Sequence, residues 1–411
     1  MSETIAAGET AQEAPFFPME RAAGCPFDPP GGLRSLITGR PVSRVRIWDG
    51  SLPWVVTGHA EQRALMSDPR VSVDDKLPGF PHFHEAIAHV APNRPASVFN
   101  TDPPVHTRYR RMMTAPFTFK RVQAMRPVVQ QITDELLGQM TAGPAPADLV
   151  TALALPLPTR MISAILGVPY EHHEFVHAHA TVATKRDASV ESMMRAVGEM
   201  HQFLTDLIGQ RAADPRDDVI SDIAQRVVSG EITVEEAAHM TLGLLSAGHE
   251  TSANMIGLGT LALLQNPGQL AVLRDTDDLA VVAGAVEELL RYLGIIHNGG
   301  RRIATEDIEV GGELIRAGEG ILIDFSTGNR DPQAFPDPDT LDLHRQAREH
   351  HAFGHGTHQC IGQQLARVEL QVVFGTIFKR IPTLRLATTI DKIDFKHDSI
   401  AYGVYELPVS W

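Results

Sequence analysis

The feature that most constrains this chain is one long apolar segment that has to form a single buried helix. Thr233 and Glu236 make the T-x-x-E pattern of a capping box, and Asn266-Pro267 is a stop signal. The span is about 32 residues, or about 48 Å at about 1.5 Å per residue, which is enough to cross a domain. Its middle is apolar nearly all round, so the sequence predicts a buried helix rather than a surface helix.

Polar residues interrupt this helix at its centre, where Gly248, Glu250, Thr251 and Ser252 follow one another closely. A mid-helix glycine costs about 1 kcal/mol relative to alanine, and buried hydroxyls and carboxylates need partners. A structural interpretation is that the two hydroxyls bond back to the preceding turn and that Glu250 pairs with an arginine. The clustering favours a functional reason, and both interpretations remain open from these residues alone.

Composition and charge exclude several classes of protein. Of the 411 residues 43% are hydrophobic, too many for a disordered chain, and 36 Lys+Arg against 50 Asp+Glu give a net charge of −14, which argues against nucleic-acid binding. No apolar stretch reaches the roughly 18 residues of a membrane span, and the acidic first residues do not resemble a signal peptide. Cys25 and Cys360 have no paired spacing, which excludes a disulfide-stapled secreted domain. We expect a cytoplasmic protein with a disordered N-terminal tail over residues 1–15.

The remaining pattern is mostly helical, with two candidate β-hairpins and one long loop. An Asp-Gly turn joins candidate strands at 45–48 and 54–56, and a Gly-Gly turn joins 308–310 to 314–315. The stretch from Val73 to Pro104 is rich in proline and aromatic residues and is predicted to be irregular. A loop of that length usually serves as a lid or a binding wall.

The strongest chemical signal is the segment 353–362, F-G-H-G-T-H-Q-C-I-G, in which a glycine-spaced loop delivers Cys360 to the start of a helical pattern. A thiolate there faces the positive end of the helix dipole and free backbone N–H groups, and we expect both to lower its pKa. Gly356 and Gly362 allow the backbone to approach closely, so that amides can bond the sulfur.

Two other kinds of site are compatible with the residues around Cys360. Four histidines surround Cys360 within eleven residues and could suggest zinc, although no second ligand pair is evident: His350, His351, His355 and His358. Cys360 could also be a nucleophile with a histidine base, but that would not explain the acid and alcohol in the middle of the long helix.

The segment 353–362 resembles the haem-binding loop of the cytochrome P-450 superfamily. Three further motifs stand in that family's order: D-P-P-V-H-T-R-Y-R at 102–110, A-G-H-E-T-S at 247–252 and E-L-L-R at 288–291. The resemblance runs from about Phe16 to Trp411 and is strongest to the soluble actinobacterial family 105. It implies one mainly α-helical catalytic domain over residues 16–411, with about a dozen helices, a small β-rich region and haem b between the long central helix and the Cys360 loop.

The resemblance also implies roles for individual residues. Cys360 would be the axial ligand of the haem iron, and Phe353 would pack beneath its sulfur. Candidate cations for the haem propionates, with Arg301 as the rival of Arg302, are His106, Arg110, Arg302 and His358. Further residues in contact with the haem would be Ala247, Gly248, Gly354 and Gly362. A salt-bridge network without chemical function would consist of Glu288, Arg291 and Arg345.

The resemblance also implies which residues act on oxygen and which bind the substrate. Thr251 would hold an ordered water and Glu250 would link that water to solvent, while Gly248 would leave room for oxygen and could open a local bulge in the helix. The substrate wall would be formed by the 73–104 loop, the segment Ile295 to Asn298 and individual side chains, namely Leu244, Ala247, Ile295, Ile296, Ile400, Ala401 and Tyr402.

The implied function is a haem-thiolate monooxygenase that inserts one atom of O₂ into an apolar molecule by hydroxylation or epoxidation. The expected substrate is a macrolide, another polyketide, a sterol-like molecule or a xenobiotic. The electrons would come from NAD(P)H through a ferredoxin reductase and a ferredoxin, and the protein would be a monomer. The alternatives are a peroxygenase or isomerase that uses the same haem and a non-catalytic haem sensor; the Glu250–Thr251 pair argues against both.

An acidic ferredoxin needs a basic docking face on a protein whose net charge is negative. Basic residues cluster near the haem motifs, and in the resembled fold these segments approach the side on which the thiolate lies nearest the surface: Arg108, Arg110, Arg111, Lys120, Arg121, Arg345, Arg348 and Arg367. The competing interpretation is that Arg110 and Arg345 are used internally and the other charges are scattered.

Overall fold

The computed structural model describes residues 14–21, 24–37, 39–184, 189–297 and 299–411. Most of the expected N-terminal tail, residues 1–13, and the predicted wall residue Asn298 lie outside the described residues. The helices account for most of the regular structure. They are α1 Gly31–Arg34, α2 His59–Ser67, α3 Glu85–Val90, α4 Val105–Thr114, α5 Phe119–Ala124, α6 Arg126–Ala142, α7 Pro156–Leu166, α8 His173–Thr184, α9 Val190–Ala213, α10 Val219–Val228, α11 Val234–Gln265, α12 Pro267–Arg274, α13 Leu279–Leu293, α14 Phe325–Gly328 and α15 Gln363–Arg380.

Short 3₁₀ segments and one π-helical turn connect some of these helices. They are Ala91–Asn93, Ala115–Phe117, Tyr170–His172, Gly356–His358 and Ile390–Lys392, with the π-helix at Val150–Ala154. The strands are short. They are β1 Val42–Arg44, β2 Trp54–Val56, β3 Val71–Ser72, β4 Ala147–Asp148, β5 Gly300–Ala304, β6 Ile308–Val310, β7 Glu313–Ile315, β8 Gly320–Ile323, β9 Arg385–Leu386 and β10 Pro408–Ser410.

The predicted central helix is confirmed as α11, which begins after the Thr233 cap and ends before Asn266. Both hydrogen bonds of the capping box are present. The helix packs against α7, α9, α10, α13 and α15, so it lies inside the main hydrophobic core. The bulge suggested at Gly248 is not seen, because α11 is continuously α-helical there. A Cβ at Gly248 would lie 2.9 Å from Cδ1 of Ile162 in α7, so close helix packing accounts for the glycine.

The strands form a five-stranded sheet in the order β1-β2-β8-β5-β3, a three-stranded sheet β4-β10-β9 and the hairpin β6-β7. The hairpin predicted at 308–315 is confirmed, and Val310 pairs with Glu313. The hairpin predicted at 45–56 forms with an earlier first strand, because β1 covers Val42–Arg44 and pairs with β2. The backbone of Arg46, in the expected strand, bonds instead to Pro15 and Phe17.

The 73–104 segment is less irregular than the sequence suggests, because it contains α3 and a 3₁₀ turn. The His84 side chain caps α3 by accepting a hydrogen bond from the backbone N–H of Ala86. Among the described helices, none combines the length and apolar character that a bilayer crossing requires.

Candidate active site

A largely apolar cavity of about 440 Å³ lies between α11 and the loop that precedes α15. Most of the residues predicted for the site line this cavity. They are Arg110, Leu244, Ala247, Gly248, Thr251, Ile295, Ile296, Arg302, Phe353, Gly354, His358, Cys360 and Gly362. Further apolar wall residues come from elements to which the sequence gave no such role, for example Ile162 of α7 and Phe325 of α14. Their sequence pattern is that of ordinary core positions and gives no signal of a cavity.

The Cys360 loop is shaped by two glycines with positive φ, Gly354 at +67° and Gly356 at +71°. A Cβ at Gly356 would lie 2.4 Å from the carbonyl oxygen of Met66, so this glycine lets the loop lie against α2 rather than bringing an amide to the sulfur. The Cys360 N–H donates to the carbonyl oxygen of Phe353 at 2.9 Å, which closes the loop.

The Cys360 sulfur lies just before α15, and its accessible surface faces the cavity. Burial raises the pKa of this thiol, although N–H groups of Gly362 and Gln363 and the charges of Arg110 and Arg367 oppose the effect. The expectation of a lowered pKa is therefore wrong for the protein alone, because desolvation outweighs the helix terminus. A metal bound to the sulfur would favour the thiolate, because an adjacent positive charge offsets the desolvation of the negative one.

Two guanidinium groups face the cavity and form no salt bridge within the part of the chain that the structure describes, those of Arg110 and Arg302, although the charge of Asp102 favours the charged form of Arg302. Burial lowers the pKa of Arg302 to about 10, so it stays charged at neutral pH. The choice of Arg302 over Arg301 follows from strand alternation in β5. Arg302 reaches the cavity, whereas the Arg301 guanidinium lies over the Phe83 ring at 4.4 Å.

Two imidazoles lie close together in this part of the site. The ring centroids of His106 and His358 are 4.2 Å apart. Both ring nitrogens of His106 are buried and have no hydrogen-bond partner among the described residues. Burial, followed by the charges of His358 and Arg110, lowers the pKa of His106 to about 4. In the protein alone His106 is therefore neutral rather than the predicted cation, mainly because burial disfavours its charged form.

Asp102 is a site residue to which the sequence analysis gave no role, although it lies in the D-P-P motif. Its carboxylate accepts hydrogen bonds from the Ser72 hydroxyl and from the Val73 N–H, the latter at 3.1 Å. It also lies 3.7 Å from Nε2 of His358, so it orients that imidazole. The motif was the signal that could have identified it.

The predicted structural network is present on α13. Glu288 and Arg291 are fully buried and paired at 2.7 Å, and Arg345 lies 3.2 Å from the same carboxylate. Arg291 also donates to the carbonyl oxygens of Asn329 and Pro338 at 2.8 Å. Every charge in this network has a partner, which is the condition for a buried ion pair not to be destabilising.

The polar residues in the middle of α11 take different partners. The Thr251 hydroxyl faces the cavity and donates to the Ala247 carbonyl oxygen at 2.7 Å, as the structural interpretation predicted. Ser252 does not bond back to its own helix; its hydroxyl donates to the Glu369 carboxyl of α15 at 2.7 Å. Glu250 is buried and does not line the cavity, and its described charge partner is Lys396 rather than an arginine.

The predicted substrate wall is only partly found. Ile295 and Ile296 line the cavity, but Ile400, Ala401 and Tyr402 do not. Ala401 forms a β-bridge with Ile296, and the Tyr402 N–H donates to the Ile295 carbonyl oxygen at 2.7 Å. The C-terminal segment therefore backs the wall as a second layer. The prediction for Ile400, Ala401 and Tyr402 is therefore right about the region and wrong about direct contact with the cavity.

The polar and apolar residues that line the cavity fit haem b. Among the described residues, no three His, Cys, Asp or Glu side chains are arranged to share a metal ion. Cys360 would supply the one protein ligand that the resemblance implies for the haem iron. The guanidinium groups of Arg110 and Arg302, which form no described salt bridge, and the His106 imidazole, which has no described hydrogen-bond partner, suit the two carboxylates of haem, and the apolar walls suit its planar ring. A single thiol that faces an apolar cavity with these partners is the arrangement expected of a haem-thiolate protein.

Comparisons with known proteins agree with this class. The family model for cytochrome P450 matches residues 45–394. Cytochrome P450 CYP105Q4 of Mycobacterium marinum is 56% identical and covers all of both chains, and cytochrome P450 GfsF of Streptomyces halstedii is 54% identical over 99% of each. The crystal structure of GfsF superposes with a TM-score of 0.91 over 97% of this chain and all of that chain.

A third solved structure is the mycinamicin VIII C21 methyl hydroxylase MycCI of Micromonospora griseorubida. It is 39% identical, with a TM-score of 0.90 over 97% of this chain and all of that chain. This chain belongs to the cytochrome P450 family, with relatives in family 105, and it is a monooxygenase of the haem-dependent type.

Proposed function

We propose that this monooxygenase hydroxylates or epoxidises an apolar secondary metabolite, with macrolides and other polyketides as the first substrate class and sterol-like molecules or xenobiotics as the next. The observation that carries the proposal is that the Cys360 sulfur and the Thr251 hydroxyl face one apolar cavity. MycCI, which is described as a methyl hydroxylase bound to mycinamicin VIII, supports the substrate class. The catalytic domain would span residues 16–411.

Different residues of the site would bind the haem and the substrate. When bound, haem supplies the iron that activates O₂. The Cys360 sulfur would bind its iron, Arg110 and Arg302 would pair with the propionates, and His106 and His358 would donate hydrogen bonds to them. The apolar side chains of the wall would hold the substrate and exclude bulk water.

Proton supply would depend on α11. The Thr251 hydroxyl gives its hydrogen to Ala247, so its oxygen keeps lone pairs for a water in the cavity. Glu250 would deliver protons from solvent to that water. A positioned group of this kind typically contributes about 10²–10⁴-fold to the rate of a proton transfer.

Two electrons would arrive from NAD(P)H through a ferredoxin reductase and a ferredoxin. We propose a monomer that works in the cytoplasm, where reduced nicotinamide is regenerated. The ferredoxin would bind near α4 and α5, because the His106 ring of α4 lies 4.2 Å from the His358 ring beside Cys360 and α5 packs against α15.

The carbon monoxide complex of the reduced protein tests the proposal. We expect the red-shifted Soret band of thiolate ligation, its loss in Cys360→Ser and its retention in the matched control Cys25→Ser. Titration with a panel of macrolides, sterols and drugs should then shift the resting spectrum for at least one class. About one zinc per chain and no haem in the purified protein would contradict the proposal.

A further inference from the structure

Glu250 is held by a residue from the far end of the chain. Its carboxylate lies on α11 with 6% of the residue exposed, and Nζ of Lys396 is 3.4 Å from its Oε1. The same ammonium donates to Oδ1 of Asn254 at 3.0 Å, one turn further along α11. Lys396 is itself buried.

The position of the ammonium is fixed by a clamp between α11 and the C-terminal segment. The amide nitrogen of Asn254 donates to the Ala401 carbonyl oxygen at 2.9 Å, which turns its Oδ1 toward Lys396. Gly403 leaves room for this amide, since a Cβ there would lie 2.2 Å from Oδ1. The Lys396 N–H also donates to the Gly403 carbonyl oxygen at 2.9 Å. Backbone and side chain of Lys396 are thus both anchored beside Glu250.

Burial of a carboxylate is costly unless an opposite charge with satisfied hydrogen bonds lies close by. Lys396 provides that charge directly beside the residue that precedes Thr251 in the helix. The ammonium also lies 5.9 Å from the ring of Tyr405, which is only partly buried, so the network extends toward the surface. The C-terminal segment that backs the substrate wall therefore also contacts Glu250.

We infer that Lys396 is a positioning residue for proton supply: it compensates the buried charge of Glu250 and fixes its direction, so that a proton from solvent passes to the carboxylate and on to the water held by Thr251. The inference rests on the proposed roles of Glu250 and Thr251.

Three variants separate charge from packing. Lys396→Gln removes the charge while its amide can still donate to Asn254, and Lys396→Met removes both the charge and the donor. Lys396→Arg retains the charge and serves as the rescue. All three should bind haem and give the thiolate band with carbon monoxide.

The first measurement is infrared difference spectroscopy, which does not depend on turnover. We expect Lys396→Gln to show the carbonyl band of a protonated carboxyl group that is absent from the wild type, from Lys396→Arg and from Lys396→Gln/Glu250→Gln. The buried Glu369 contributes the same background to each of these proteins. If Lys396→Gln fails to fold, Lys396→Met with its own Glu250→Gln partner gives the same comparison.

The second measurement is product formed per NAD(P)H oxidised, with its solvent isotope effect. The yield should fall at least about tenfold in Lys396→Gln, the isotope effect should rise, and Lys396→Arg should restore most of both. If Lys396→Gln has the same carboxyl band and the same product yield as the wild type, the inference is overturned and Lys396 only connects α11 to the C-terminal segment. Failure of the proposed function would instead appear in the wild type, as a missing thiolate band.

Discussion

At the scale of single residues, the direction of one hydrogen bond decides what the hydroxyl of Thr251 can do. Its hydrogen is committed to the Ala247 carbonyl oxygen, while the oxygen remains exposed to the cavity. Back-bonding and a role toward a cavity water are therefore compatible, because one uses the donor and the other uses the lone pairs. The neighbouring Ser252 differs, since its hydroxyl is directed to Glu369.

We expect Thr251→Ala to leave haem content and substrate-induced spectral shifts intact and to lower the product formed per NAD(P)H at least about tenfold, with hydrogen peroxide in its place. The physical reason is the loss of the only atom of that side chain that can hold a water. Thr251→Ser is the matched control and should stay close to the wild type. Equal yields from Thr251→Ala and the wild type would mean that the hydroxyl serves only its own helix.

At the scale of secondary-structure elements, α11 and α15 meet through one buried polar pair. The Ser252 hydroxyl donates to Oε2 of Glu369, while Oε1 of the same carboxyl group has no hydrogen-bond partner among the described residues. Burial raises the pKa of Glu369 from an ordinary 4.5 to about 8, because nothing compensates a negative charge there. Glu369 is thus a neutral acid in the helix interface at pH 7, unlike the ion-paired Glu288 of α13.

This pKa predicts a specific pH dependence of stability. The folded state binds a proton at Glu369 that the unfolded state loses above about pH 4.5, so the stabilisation is complete below that pH and is lost as the pH rises toward 8. The wild type should therefore lose about 1.4 kcal/mol per pH unit across this window relative to Glu369→Gln. Unfolding of both proteins, measured from pH 5 to 8, checks this, and parallel curves would refute it.

At the scale of the whole molecule, the charges predicted to form a basic face divide into two groups. Arg110 lines the cavity, Arg345 pairs with Glu288, and Arg367 pairs with Glu287 at 2.6 Å, so these three are used internally. Arg108 is exposed but donates to the Glu231 carbonyl oxygen, and Arg348 is exposed and belongs to neither α4 nor α5. The other exposed cations of α4 and α5 include Lys120 and Arg121, which directly follow Phe119, a side chain that is 65% exposed. This surface, the α4–α5 patch, consists of Arg111, Phe119, Lys120 and Arg121.

An exposed aromatic ring flanked by cations suits an acidic partner, because charge steers the encounter and the ring supplies area to bury. We expect Arg121→Glu to slow reduction by an acidic ferredoxin by roughly tenfold at low salt, and Phe119→Ala to weaken the complex without changing its salt dependence. Arg195→Glu on α9, an element that contributes nothing to the cavity wall, is the control and should have no effect. Reduction rates that are indifferent to salt and to Arg121→Glu would exclude the α4–α5 patch as the docking site.

The amino-acid sequence by itself determined the features whose signals are local. The limits of α11 follow from the Thr233 capping box and the Asn266-Pro267 stop, and the β6-β7 hairpin follows from its Gly-Gly turn. The loop that presents Cys360 to the cavity was equally readable, because its glycines and the helix after it are neighbours in the chain.

Tertiary structure alone decided everything that depends on which distant residues meet. It brought Lys396 to Glu250 across 146 positions, chose Arg302 over Arg301 by the register of β5, and put Tyr402 behind Ile295 instead of on the wall. It also reversed the expected pKa shift of Cys360, because desolvation is set by the surrounding core and not by neighbours in sequence. Capping, turns and helix starts are governed by residues a few positions apart, whereas charge partners and burial are governed by packing between elements.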